Sequence, residues 1–132
     1  MRRYMVPLSL VLVAAVAAAD PGAWVEVGGG AWKPPVALLS EVEAALMTAI
    51  PPAAVGRGRP PEWHTYTFQY QGQTSLVGHR YVRINAFCDS RGNHPDLANA
   101  WVEVFDGGAC FFSAKYDVVK KRLYDVQVNG VA

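Results

Sequence analysis

The chain is poor in the residues that carry chemistry. Of the usual metal ligands and nucleophiles it has three histidines, His64, His79 and His94, and two cysteines, Cys88 and Cys110. The histidines are far apart and none has a cysteine or carboxylate partner at ligand spacing, so no metal and no cofactor are expected. Paired carboxylates, a nucleophile elbow and a phosphate-cradling glycine loop are missing. Gly28-Gly29-Gly30 lacks the strand–turn–helix context of a phosphate site. No Asn-X-Ser/Thr sequon occurs. Charge of one sign is also lacking: the formal net charge is +1. With Arg2 and Arg3 set aside the chain is slightly acidic, which gives no electrostatic case for nucleic acid or an anionic membrane. Lys120-Lys121-Arg122 is the one basic cluster, expected in a hairpin turn where solvated charge is ordinary. Nothing here reads as catalysis.

What the chain does have begins with a leader. Arg2 and Arg3, the apolar run Val6 to Val16 and Ala17-Ala18-Ala19 before Asp20 read as a signal peptide over 1–19, cut after Ala19. The run is too short for a membrane span. Residues 20–132 then form a single domain, exported to the periplasm or secreted, with no membrane span after cleavage. Two cysteines after an export signal fit an oxidising compartment.

Their setting is the stretch from His79 to Tyr116. Arg80 to Cys88 alternates as a strand, with Val82, Ile84, Ala86 and Cys88 on one face. Ala100 to Phe105 reads as a second strand. Asp106-Gly107-Gly108 is a hairpin signal, because glycine takes positive φ without strain. Ala109 to Tyr116 follows, with Cys110, Phe112, Ala114 and Tyr116 on one face. Each cysteine falls on the apolar face of its strand, which predicts a Cys88–Cys110 disulfide that closes a loop and stabilises the fold by about 3 kcal/mol.

The remaining elements follow the same logic. Ala23-Trp-Val-Glu-Val27 is a strand candidate, and the same five residues recur at Ala100-Trp-Val-Glu-Val104; chance explains the echo better than duplication. Leu38, Leu39, Val42, Ala45, Leu46, Ala49 and Ile50 recur at helical spacing. That helix starts after Pro35 or at a capping box, Ser40-Glu-Val-Glu43, and stops at Pro51-Pro52. Glu62 to Tyr70 alternates as a strand, with His64, Tyr66, Phe68 and Tyr70 on one face. Gln71 to Gly78 is a connection. Leu123 to Asn129 is a last strand, with Tyr124, Val126 and Val128 inward. One helix followed by short-linked strands predicts an α+β fold, the helix packed on a four- to five-stranded antiparallel meander sheet.

Phe87, Trp101, Phe105 and Phe111 share the parity opposite the core. Exposed together, they would form a patch that binds a protein partner; alternatively the N-terminal segment, with Trp24 and Trp32, folds over that face. Two other classes of function stay open. One is a small enzyme of a related cone-shaped sheet fold, with His64 and Tyr66 lining a pocket; the other is an envelope protein that self-associates through its sheet edges.

From about residue 35 to 130 the helix-then-meander order is similar to the cystatin-like fold. Cystatins that inhibit cysteine proteases present an N-terminal glycine and two hairpin loops as a wedge. Gly28-Gly-Gly30, the Gln71–Gly78 loop and the Phe105–Gly108 turn come in comparable order. Gln73-Thr-Ser-Leu-Val-Gly78 is one residue longer than the cystatin Gln-X-Val-X-Gly, and the second turn has no Pro-Trp. Asn85-Ala-Phe-Cys88, Asp106-Gly-Gly-Ala-Cys-Phe-Phe112, Tyr116-Asp117 and Val128-Asn-Gly130 resemble a pattern in small exported bacterial proteins of unassigned function. The second resemblance carries no activity with it; taken with the outer aromatic face and the loops, the residues predict an exported, non-catalytic binding or inhibitory module that acts through its sheet face and hairpin loops.

Overall fold

The computed structural model describes residues 20–88 and 96–131. The expected leader over 1–19 and His94 lie outside the described residues. The elements are β1 (Ala23–Glu26), α1 (Val36–Ala53), β2 (Thr67–Thr74), β3 (Arg80–Phe87), β4 (Phe111–Asp117) and β5 (Arg122–Val128). They make one helix packed on a five-stranded sheet of order β1-β2-β3-β4-β5, an α+β fold. β2 to β5 form an antiparallel meander. β1 differs: it runs parallel to β2, from Ala23↔Thr67 to Glu26↔Tyr70. Parallel neighbours need a crossover, and α1 is that crossover.

The core follows the alternation of the strands. Phe68 and Tyr70 of β2, Val82, Ile84 and Ala86 of β3, and Phe112, Ala114 and Tyr116 of β4 are buried on one face. Leu39, Val42, Leu46 and Ile50 of α1 pack onto them. α1 is apolar and long enough, by length and composition alone, to cross a membrane; here its apolar stripe is the other half of the core. At Gly72 the Trp32 backbone comes so close that a Cβ would lie 2.2 Å from its carbonyl oxygen, so only glycine fits.

Several local expectations are corrected. Ala100–Phe105 is not a strand, and Asp106-Gly107-Gly108 is not a hairpin. Gly107 and Gly108 do take positive φ, of 90° and 64°, but they lead into a short 3-10 turn, Gly108–Cys110. α1 begins at Val36 with Pro35 as its N-cap, so the capping box is not used and Glu43 turns inward. The two prolines sit inside the last turn, and the helix ends at Ala53, where the Ala54 N–H is shared by the Ile50 and Pro51 carbonyls. Gln71 to Thr74 belongs to β2. Residues 63–65 form a 3-10 turn, which brings Trp63 toward the core and leaves His64 outside. A register shift between Ser113 and Lys115 pairs Tyr124 with Lys115 on the outer face, so Leu123, not Tyr124, joins Val126 and Val128 against the core.

The disulfide forms between Cys88 and Cys110, with Cα atoms 5.0 Å apart. It ties the end of β3 to the start of β4, across the long segment between them.

Candidate binding surfaces

The outer face of the sheet is covered from within the chain around Gln69 and Asn85, while among the described residues its β4–β5 side stays open. Residues 96–106 cross it as a strap, held by side-chain amides of the sheet and not by a backbone ladder. Gln69 Nε2 donates to the carbonyls of Leu97 at 3.0 Å and Ala100 at 2.7 Å. Gln69 Oε1 accepts from the Val102 N–H at 2.8 Å and from Asn85 Nδ2 at 3.1 Å. Asn85 Nδ2 also donates to the Val102 carbonyl at 2.7 Å. Asn129 Nδ2 donates to the Val104 and Asp106 carbonyls. Gln69 is fully buried, and its amide makes every hydrogen bond it can. A polar face with a buried glutamine is stable only because the strap's backbone satisfies it.

This geometry separates the four aromatic residues expected to form a patch. Phe87 is buried, only 4% exposed. It sits opposite Phe111 in the β3–β4 register, and Phe111 is half-buried beside Gly107. Trp101 is half-buried, with the Arg83 guanidinium stacked 3.9 Å above its ring. Phe105 alone stands out, 95% exposed. The four do not make one exposed surface. The cover is the strap and not the N-terminal segment: Trp24 and Trp32 pack against the core at the β1–β2 edge.

The helix face carries one buried charge. Glu43, on α1, accepts from the Trp24 indole N–H at 2.7 Å, the Trp63 indole N–H at 2.9 Å and the Gly22 N–H at 2.9 Å. Both oxygens are engaged, so the carboxylate pins β1 and the Trp63 turn onto the helix. His64 lies outside, its Nδ1 3.4 Å from a Glu62 carboxylate oxygen. Near it an apolar groove of about 280 Å³ is lined by Met47, Ile50, Pro51 and Trp63, among others, but not by His64. Tyr66 lines the groove too, yet its hydroxyl is spent on the Ala109 carbonyl. Burial pushes that hydroxyl's pKa up to about 12. Among the described residues no group of three His, Cys, Asp or Glu side chains could hold a metal ion.

One end of the sheet is built differently. β1, β2 and β4 run toward it, so it gathers the Gly28–Gly30 loop, the β2–β3 turn and the β4–β5 turn. Both hairpin turns are fixed by their own polar groups. Ser75 exchanges backbone hydrogen bonds with His79 and Gly78, and its Oγ accepts from the His79 N–H at 3.1 Å. Asp117 Oδ1 accepts from the Val119 and Lys120 N–H groups at 3.0 and 2.9 Å. The Lys120 amide, foremost, holds the Asp117 carboxyl below the usual carboxylate range. These turns hold Leu76, Val77 and Val119 exposed. Between them lies a cleft of about 280 Å³ lined by His79, Arg80, Lys120 and Arg122, with Asp117 as its acid. The Phe105–Gly108 turn sits at the opposite end, where the Gly108 N–H meets the Gly130 carbonyl beyond β5.

Sequence reasoning placed Lys120-Lys121-Arg122 in a hairpin turn but read it as solvated charge, because nothing in the sequence brings Arg80 beside it. The available signal was an apolar residue at the tip of each short turn, Leu76-Val77 and Val119, with basic residues close behind: Arg80 three positions after Val77, and Lys120 directly after Val119. Turns are ordinarily made of Gly, Asn, Asp, Ser and Pro, so that pattern stands out. Comparison of the chain with protein-family models, with curated proteins and with solved structures finds no match.

Proposed function

We propose that this is an exported, non-catalytic binding or inhibitory module that acts through the hairpin loops at one end of its sheet. The observation that carries the reading is the pair of rigid turns presenting Leu76, Val77 and Val119 to solvent. Apolar side chains held out on ordered turns mark contact surfaces. A cystatin-like mode of contact is part of the proposal: the Gly28–Gly30 loop and the two turns lie side by side, as a wedge requires. In this reading the second loop is the β4–β5 turn, in place of the Phe105–Gly108 turn. A disulfide joining Cys88 and Cys110 supports an oxidising compartment. The proposed route is therefore cleavage after Ala19 and residence in the periplasm or outside the cell.

The test is retention of envelope components by immobilised Asp20–Ala132 and by its Leu76→Ser/Val119→Ser variant. Both sites are exposed, so the variant should melt at the parent's temperature while losing a component that the parent retains. Equal retention by a folded variant would refute docking through this end.

A further inference from the structure

We infer that the two-turn end of the sheet docks on the surface of an anionic phospholipid bilayer. A lipid phosphate enters the cleft between the turns, and Leu76, Val77 and Val119 enter the interfacial layer. The inference rests on the proposal that this end is the docking surface, and it names the partner.

Three observations converge on it. The first is charge. Arg80, Lys120 and Arg122 line one cleft, together with His79, against a single carboxylate. That carboxylate, Asp117, is held in place by two backbone N–H groups of its own turn; Lys120 and His79 lie close enough to stabilise its charge, and one carboxylate still leaves the cleft with an excess of cations. The chain as a whole is nearly neutral, so this is a local concentration of cations and not a property of the composition. Each Lys or Arg held near an anionic bilayer adds to the attraction.

The second observation is the position of the apolar side chains. Leu76, Val77 and Val119 are exposed at the tips of the turns, beside the cations and not within the cleft. A bilayer surface offers both chemistries at once: phosphates for the cleft, and an apolar layer beneath them for the tips. Nucleic acid offers phosphate without such a layer. An acidic protein offers charge, but it needs a matching apolar pocket for each tip.

The third is rigidity. Ser75 and Asp117 fix their turns before any partner arrives, so little ordering entropy is lost on docking. The cleft is too small for a folded domain and about right for a headgroup, while the tips need only a soft, extended surface.

The experiment is co-sedimentation of Asp20–Ala132, which contains every element described above, with two kinds of vesicle. One is pure phosphatidylcholine and the other phosphatidylcholine with phosphatidylglycerol. Partition should favour the anionic vesicles and fall with added salt. An Arg80→Gln/Lys120→Gln/Arg122→Gln variant should partition on the order of a hundredfold more weakly. Leu76→Ser/Val119→Ser should weaken it about tenfold at unchanged salt dependence. Equal binding to both vesicle types, or no loss in either variant, would overturn the inference. Binding of inorganic phosphate by calorimetry with no binding to vesicles would also overturn it, leaving a free-phosphate site. If vesicles are ignored while the tip variant loses a retained envelope protein, the lipid assignment fails and the docking end stands. If the tip variants change neither readout, both fall.

Discussion

Ala-Trp-Val-Glu-Val occurs twice, at Ala23–Val27 and Ala100–Val104, and takes two different structures. The first copy contributes β1 and pairs its backbone with β2. Its tryptophan reaches into the helix face, where the indole N–H meets Glu43 and the ring stacks on Phe68 with centroids 4.6 Å apart. The second copy pairs its backbone with no strand. Its N–H and C=O groups are taken by the side chains of Gln69, Asn85 and Asn129, and its tryptophan lies under Arg83. Five identical residues are equally content at a sheet edge and on a sheet face. What decides is the partner available to the backbone, since buried peptide groups must be satisfied by something.

The comparison can be broken at its tryptophans and sharpened elsewhere. The largest effect is expected from Trp24→Ala, which opens the core and strips Glu43 of one donor: a loss of about 3–5 kcal/mol in denaturant unfolding. A loss below about 1 kcal/mol would mean that β1 is peripheral. Next comes Cys88→Ser/Cys110→Ser, costing about 3 kcal/mol in the loop-closure account. Amide exchange should quicken in the strap before it quickens in α1; uniform quickening would show that strap and core unfold as one unit. Gln69→Ala should cost about 2 kcal/mol, because strap carbonyls and the Val102 N–H lose buried partners. Trp101→Ala should cost about 1 kcal/mol, the scale of a partly exposed cation–π contact. If Trp101 mattered as much as Trp24, the two copies would be energetic equals despite their different structures.

The smallest effect at neutral pH, and the most diagnostic at high pH, concerns Tyr66. Its carbonyl accepts the Ala23 N–H of the first copy, and its hydroxyl donates to Ala109 just beyond the second. The hydroxyl's pKa stands at about 12 in the folded chain against 10.0 unperturbed. The unfolded chain therefore releases its proton first. Stability from this group is whole below about pH 10 and drains away as the pH rises toward 12. Thermal melts across that window should show the loss, and Tyr66→Phe should flatten it. A parent and variant with parallel profiles would assign the alkaline loss to Tyr70, Tyr116 and Tyr124, whose pKa values are also raised by burial.

How far the sequence could be read follows from the same contrast. Where a backbone pairs with a backbone, side chains alternate strictly, and the alternation is visible: Val82, Ile84 and Ala86 of β3 and Phe112, Ala114 and Tyr116 of β4 face the core as read. The helical stripe and the disulfide were equally legible. Where a backbone pairs with side chains, no period exists. Gln69, Asn85 and Asn129 look like ordinary outer-face polar residues, and nothing near Ala100 says that they will hold it. Other misses were single-residue events. The 63–65 turn exchanged His64 for Trp63 because Glu43, distant in sequence, waits for an indole N–H. Asp125, at φ 48°, lies where the strand slips its register and turns Tyr124 outward. The four aromatics do not form one exposed patch for the first reason, and the turn end was missed for another: Lys120 and Arg122 read as solvated turn charge because Arg80, distant in sequence, joins them only in space.

The parallel pairing of β1 also bears on the order of assembly. β2 to β5 need only tight turns and one disulfide-clasped excursion to find their neighbours, so their contacts are cheap in chain entropy. β1 leaves the ribosome, and any export channel, before every partner it will have. It stays unpaired until α1 has formed and β2 has followed. Its docking should therefore come after the rate-limiting step, and a mild change such as Trp24→Phe should speed unfolding while leaving the folding rate nearly untouched. A slowed folding limb in stopped-flow measurements would place this first-made strand in the nucleus instead.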